Sequence, residues 1–338
     1  MNIQIFISIK LKRILQFMKN KPIIIINGEP NSIFVEIFFK ALNSKKYKSP
    51  IILISSIELI KFYIKKFKFK KKIKIIKVNN IVGSNLDNNS INLININFKF
   101  NKKFDKISKK SNFFIEESFN TGLTILKKGL SNKLINGPIS KKTFLKNNFP
   151  GITEYIAKNT RTKKFAMLIY NKELSVCPLT THIPIKKISK LITRNNIYEK
   201  IKLIHNFYVK YRKIRPKIGI LGLNPHCEST DHFNEDEKII KPAIIFLKKL
   251  GYKVSGPFSA DTIFMKTNRK KFDVILGMYH DQVLTPIKTL YEFDAINITL
   301  GLPFIRISPD HGPNTTMVGK NVSNPLSLIK AISFLDKN

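Results

Sequence analysis

Residues 217–250 read KIGILGLNPHCESTDHFNEDEKIIKPAIIFLKKL. The first six, Lys217–Gly222, form a short apolar run with the length and composition of a buried strand. A polar stretch follows, and its Asn224-Pro225-His226 string marks a turn. From Asp236 to Leu250 the apolar residues return in a helical pattern. Another short apolar run, Val274–Gly277, lies further on. Strand, turn, helix and strand in that order make the unit from which parallel sheets are built.

The same alternation extends in both directions. Strands are expected at Pro22–Asn27, Ile51–Ser55, Ile73–Val78, Lys133–Asn136, Phe165–Tyr170 and Ala295–Thr299, besides the two above. Helices are expected at Ser32–Leu42, Phe114–Lys128, Thr193–Lys210 and Pro325–Leu335. The pattern predicts α/β architecture with a mostly parallel sheet. Between Lys61 and Lys110 the mixture of Lys, Ile and Asn blurs any period, and no internal repeat is visible.

At 338 residues the chain is long enough for two domains, and 43% hydrophobic with 11% aromatic residues fits a globular protein. No apolar run approaches a membrane span, so no membrane partner is expected. The formal charge of +38 comes from 60 Lys and Arg against 22 Asp and Glu. That excess is mostly lysine scattered among Ile and Asn, as in Lys61-Phe62-Tyr63-Ile64-Lys65-Lys66-Phe67-Lys68. All three residue types share A/T-rich codons, and no zinc finger, RNP string or basic heptad accompanies them. A biased genome explains the charge, and nucleic acid is not the expected partner. Anionic small molecules would still be drawn to such a surface. Two cysteines, Cys177 and Cys227, form no disulfide framework, which fits a cytoplasmic protein. Residues 1–17 are basic and apolar without a signal-peptide cleavage site. They form either an amphipathic anchor or an untranslated stretch preceding a start at Met18.

Neither a G-x-G-x-x-G after a strand nor a G-x-x-x-x-G-K-[ST] occurs. Three polar strings instead place a histidine beside a turn: Thr180-Thr181-His182-Ile183-Pro184, Asn224-Pro225-His226 and Gly277-Met278-Tyr279-His280-Asp281-Gln282. Imidazoles gathered from remote segments suit one transition metal. The alternative is three satisfied turn histidines. Flanking Thr-Thr, Asn-Pro and Asp-Gln pairs could orient the rings from behind. Cys227 is either a fourth ligand or a small buried residue. His205 reads as a packed helix residue, and His232 and His311 lie in loops. Lys288, Asn297 and Arg306 would together suit a phosphate monoester. Thr153 could add a hydroxyl at a helix start. Equally, Lys288 could be a surface residue and Asn297 the end of a strand.

Six strings carry a resemblance to a known family: Leu179-Thr-Thr-His-Ile-Pro184, Gly222-Leu-Asn-Pro-His226, Gly256-Pro-Phe-Ser-Ala-Asp-Thr262, Met278-Tyr-His-Asp-Gln282, Asn297-Ile-Thr-Leu-Gly-Leu-Pro-Phe-Ile-Arg306 and Asp310-His-Gly312. In order, from about Lys21 to the C-terminus, they resemble the 4-hydroxythreonine-4-phosphate dehydrogenases of vitamin B6 biosynthesis. The resemblance implies an isocitrate/isopropylmalate-dehydrogenase-like fold of two αβα domains. Their expected extents are 18–135 plus 275–338 for the first, and 136–274 for the second, which would carry a homodimer interface. Active sites in that family lie between domains and borrow residues across the subunit interface. By motif, His182, His226 and His280 match its divalent-metal ligands (Zn, Mg or Co). Thr153, Lys288, Asn297 and Arg306 match its substrate-binding positions. Asp310, His311 and Gly312 resemble its loop for NAD or NADP.

The activity so implied is NAD-dependent oxidation of 4-phosphooxy-L-threonine to a β-keto acid. That acid decarboxylates to 3-amino-2-oxopropyl phosphate on the way to pyridoxal phosphate. A metal would lower the pKa of the substrate hydroxyl, and Asp261 or Asp281 would relay the proton. Two rivals remain: the same chemistry on another phosphorylated hydroxy acid, and a zinc-dependent phosphate-releasing hydrolase. Three departures bear on the choice. Ile152 stands where the family has histidine. The loop Gly28-Glu29-Pro30-Asn31-Ser32-Ile33-Phe34 lacks two of the family's glycines. Asn136 replaces the threonine of a T-x-P-x-x-K string, although Pro138 and Lys141 remain.

Overall fold

The computed structural model describes residues 20–100, 104–145, 148–229, 233–309 and 311–337. The N-terminal extension, His232 and Asp310 lie outside them. Contacts divide the chain into two units, one of residues 1–152 and 303–338, the other Thr153–Leu302.

In the first unit six parallel strands lie in the order β3-β4-β2-β1-β5-β12. They are β1 (Ile23–Ile26), β2 (Ile51–Ser55), β3 (Ile73–Ile75), β4 (Ile91–Asn95), β5 (Lys133–Asn136) and β12 (Ile305–Pro309). The four isoleucines of β1 are all fully buried, as both faces of a central parallel strand require. Helices α1 (Phe34–Ser44), α2 (Ile57–Phe67), α3 (Asn112–Lys127) and α8 (Leu326–Lys337) belong to this unit.

The second unit orders its strands β11-β6-β7-β10-β8-β9. These are β6 (Ala166–Tyr170), β7 (Ser175–Pro178), β8 (Ile218–Leu221), β9 (Val254–Phe258), β10 (Val274–Gly277) and β11 (Ile296–Leu300). β6 runs antiparallel to both β11 and β7, whereas β7, β10, β8 and β9 are mutually parallel. The helices are α4 (Ile152–Asn159), α5 (Arg194–Phe207), α6 (Lys241–Lys249) and α7 (His280–Tyr291). Ile169, Val176, Leu221, Ile275 and Val283 share one buried cluster, which seats α7 on the sheet.

The mostly parallel α/β architecture follows the sequence pattern, and three of the four strands absent from it, β4, β9 and β7, have clear causes. β4 reads Ile-Asn-Leu-Ile-Asn. Its Asn92 is tolerated in the interior because the amide donates to the Ile51 and Asp87 carbonyls at 2.9 and 2.6 Å. β9 contains Gly256 and Pro257 and is half-exposed at the edge of its set, where proline costs no ladder bond. β7 reads Ser-Val-Cys-Pro, with too few apolar residues to announce itself. The helix expected over Thr193–Lys210 is α5, continued by a π turn at Tyr208–Arg212.

The chain leaves the first unit later than the pattern suggests. The contact division assigns residues 136–152 to the first unit, beyond the boundary expected after residue 135. β11 pairs with β6, so α7 and β11 remain in the second unit rather than joining the first at residue 275.

Candidate active site at the strand carboxyl ends

Because β7, β10, β8 and β9 are parallel and adjacent, their carboxyl ends lie along one edge of the second unit. Open α/β sheets bind ligands at that edge. The loop after β7 carries His182, the loop after β8 carries His226, α7 starts at His280 directly after β10, and Asp261 follows β9. One stretch of sheet edge therefore presents four of the residues singled out by sequence.

Local bonds fix these loops. Leu179 N–H donates to the Gly277 carbonyl at 2.7 Å, and Thr180 Oγ1 donates to the Met278 carbonyl at 2.8 Å, tying the His182 loop to the His280 loop. The Asp236 carboxylate, fully buried, accepts Leu223 N–H at 2.8 Å and Asn224 N–H and Nδ2 at 3.1 and 3.0 Å. It thereby grips the turn that holds His226. Gly222 makes this approach possible, since a Cβ there would meet Asp236 Oδ1 at 2.5 Å. His182 and His226 have φ of 51° and 54°, a backbone region that non-glycine residues enter at a cost and that clusters at functional sites.

The rings of His182 and His280 stand side by side, with centroids 5.8 Å apart and planes at 38°. His280 Nδ1 lies 2.7 Å from Asp281 Oδ1. That carboxylate selects the tautomer with the proton on Nδ1, which leaves the lone pair on Nε2. Asp261 is exposed. A hydrogen bond from Ser259 Oγ at 2.5 Å, followed by local backbone bonds and the charge of His226, holds its carboxyl below the usual range. Among the described residues, no three His, Cys, Asp or Glu side chains are placed to grip one ion. Cys227 is a buried free cysteine, and burial pushes its thiol up. His205 packs edge-on against Tyr252 at 5.0 Å, as its helical setting suggests.

The phosphate candidates divide between the units. In the second, Thr153 sits in the first turn of α4 and Lys288 on α7, where burial lowers the amine's pKa. Asn297 lies on β11 with a buried Oδ1 that has no hydrogen-bond partner among the described residues. In the first, Arg306 on β12 is fully buried and donates from Nε to Asn136 Oδ1 at 2.7 Å. Asn136, the departure from the family pattern, is thus a partner of the arginine. His311 lies with its ring 6.4 Å from Phe34 and Nδ1 3.0 Å from the Gly312 carbonyl, and its Nε2 is buried without a partner among the described residues. Burial holds its pKa down, so the ring is neutral. Gly312 leaves open space for a ligand, since a Cβ there meets nothing nearer than 3.8 Å.

Local bonds brace the Gly28–Phe34 loop where two of the family's glycines are missing. Gly28, at φ +72°, is the position where a Cβ would strike the Pro138 carbonyl at 2.4 Å, and glycine is kept there. Ser32 substitutes side-chain bonds, donating to the Glu29 carbonyl at 2.7 Å and accepting Phe34 N–H at 3.3 Å.

Asp236 is the functional neighbour that sequence reasoning passed over. Thr180 and Gln282 bond to backbone, whereas Asp281 reaches the His280 ring. An acid at the start of the expected Asp236–Leu250 helix was the available signal for Asp236.

An α/β enzyme with its reactive groups at the carboxyl edge of a parallel sheet is the class this geometry defines. Residues 46–335 match the family model described as pyridoxal phosphate biosynthetic protein PdxA. A 4-hydroxythreonine-4-phosphate dehydrogenase of Sulfurihydrogenibium sp. is 38% identical over 90% of this chain and 94% of its own length. The Aquifex aeolicus enzyme of that name is 39% identical over 60% of this chain and 64% of its own. The solved structure of 4-hydroxythreonine-4-phosphate dehydrogenase from Klebsiella pneumoniae superposes with a TM-score of 0.79 at 25% identity, covering 94% of this chain and 98% of that one. The chain belongs to the 4-hydroxythreonine-4-phosphate dehydrogenase family, and so to the oxidoreductases.

Proposed function

We propose that this chain oxidises 4-phosphooxy-L-threonine with NAD or NADP to a β-keto acid that decarboxylates to 3-amino-2-oxopropyl phosphate, in the route to pyridoxal phosphate. The observation that carries the reading is the set of three histidine-bearing loops at the carboxyl ends of adjacent parallel strands. Names of relatives that cover most of this chain supply the substrate.

His182, His226 and His280 would hold a divalent ion (Zn, Mg or Co), and their chemistry fits one: three imidazoles, one with its tautomer set by Asp281. Two imidazoles on one ion at ~2 Å bonds have centroids roughly 5 Å apart, so the 5.8 Å pair needs only a small closure. In the homodimer that the family resemblance implies, the second copy would complete the donor set. When bound, the ion would supply Lewis acidity at the substrate hydroxyl, and the dinucleotide would supply a hydride acceptor.

The chain's own groups do the rest. Lys288, Asn297, Arg306 and Thr153 bind the phosphate. Asp261, which follows β9 at the same sheet edge, or Asp281 would relay the proton from the hydroxyl, and Asp281 orients His280. His311 and Gly312, with Asp310, hold the dinucleotide. Ile152 keeps a second substrate in view, another phosphorylated hydroxy acid, because it removes a polar contact at the start of α4.

Purified protein with a divalent ion and NAD should generate absorbance at 340 nm on 4-phosphooxy-L-threonine, and a chelator should abolish it. Folded, ion-loaded protein that acts only on other phosphorylated hydroxy acids would move the assignment to the second substrate. Phosphate release without NAD would replace it with hydrolysis.

A further inference from the structure

We propose that Gln282 is a positioning residue that couples the His280 loop to the His226 loop through its side-chain amide. Its Oε1 accepts the backbone N–H of Met278 at 2.7 Å, and its Nε2 donates to the carbonyl of Gly222 at 2.8 Å. Met278 precedes His280 at the end of β10, and Gly222 opens the turn that leads to His226. The two partners fix the amide's orientation, because an N–H demands an acceptor and a carbonyl demands a donor. Only an uncharged group carrying both, at this length, completes the bridge. The amide is buried, so neither bond is replaced by water when it is lost.

The surroundings are shaped for the bridge. Gly277 would carry its Cβ 3.0 Å from Gln282 Oε1 and 2.4 Å from Val283 Cγ1, so glycine is what lets the side chain fold back over the strand end. Thr180 ties the His182 loop to the Met278 carbonyl, the other face of the peptide chain that Gln282 holds. Asp236 holds Leu223 and Asn224, the residues that follow the Gly222 carbonyl. Gln282 is the link that joins these two clamps, so that all three histidine loops move as one body. Its relevance to catalysis rests on the function proposed above, while the coupling itself rests on the hydrogen bonds alone.

The test uses the full-length protein and two variants, Gln282→Met, similar in length with neither bond, and Gln282→Glu, which keeps the acceptor and loses the donor. Amide hydrogen exchange is read on peptides covering 222–228 and 277–281. In Gln282→Met both peptides should exchange about 10-fold faster or more, as local opening becomes easier. In Gln282→Glu the acceleration should be confined to 222–228. In the NAD assay kcat should fall about 10–100-fold, the range for partners that orient ligands, with KM for the phosphorylated substrate changed less than about threefold. A merely structural residue would lower the folded fraction and leave the kcat of the folded remainder intact. Unchanged exchange at 222–228 in both variants overturns the coupling, and faster exchange with unaltered kcat overturns its role in the reaction. Should the wild type show no dehydrogenase activity on any phosphorylated hydroxy acid, the exchange pattern still decides the coupling, and only the function proposed above fails.

Discussion

Asp236→Asn tests the physical account of the His226 turn most sharply. The wild-type carboxylate is fully buried and takes three donors on its two oxygens, two of them backbone amides. An amide of the same shape replaces one oxygen with an NH2 group. Whichever way it turns, that NH2 faces an N–H it cannot satisfy. Keeping oxygen toward Leu223 strands the Asn224 amide, and the converse strands Leu223. The Asn224 side chain can flip and offer its own oxygen to the new NH2, but it then gives up its bond to Glu235 Oε2 at 3.3 Å. The net loss is one half-buried backbone donor left unpaired, at about 1–3 kcal/mol, plus the weakening of a charge-assisted bond to a neutral one, about 1 kcal/mol. The expected destabilisation is therefore about 2–4 kcal/mol, a large part of the ~5–15 kcal/mol typical of a domain. Urea unfolding of both proteins, followed by circular dichroism and compared at a common m-value, measures it. Gly222→Ala should behave alike, because its Cβ would occupy the space of Asp236 Oδ1 and of Cys227 Sγ, 2.7 Å away. A loss below about 0.5 kcal/mol for Asp236→Asn would show that the carboxylate does not hold the turn.

Two further outcomes follow from buried polar groups of the first unit. Glu29 is buried, and burial raises its carboxyl pKa above the ordinary 4.5 despite bonds from Asn31 N–H and Ser111 Oγ. The fold favours the protonated form, so this group's contribution is complete below the unfolded value and is lost as pH rises through the folded one. Glu29→Gln should therefore gain stability relative to wild type on passing from pH 4 to pH 7, read as a growing difference in urea midpoint, and a constant difference would refute the shift. Asn136→Leu removes the acceptor at Arg306 Nε and should cost about 1–3 kcal/mol. It should also raise KM for the phosphorylated substrate more than it lowers kcat, and an unchanged KM would separate Arg306 from substrate binding.

The strand runs were legible because a parallel strand covered on both faces must be apolar throughout, as Ile23–Ile26 and Ile51–Ser55 are. α7 was not read as a helix from the sequence, because Pro286 interrupts its period. It forms because its apolar face, with Val283 and Ile287, packs onto β7 and β10 within the same cluster. β4 and β9 were hidden for a related reason: asparagine in the interior and proline at an edge become acceptable only once their neighbours are in place.

Local composition determined which segments are strands and helices, and ordered motifs such as Asn297–Arg306 determined the family. Neither could determine which loops meet. That His182 and His280 become ring neighbours depends on β7 and β10 pairing in parallel across nearly a hundred intervening residues, which no local period encodes. The bond from Gln282 to Gly222 and the burial of Asp236 are likewise long-range consequences of strand order. Their energy lies in desolvated partners brought together by the whole fold, so only tertiary structure could assign these two residues their work.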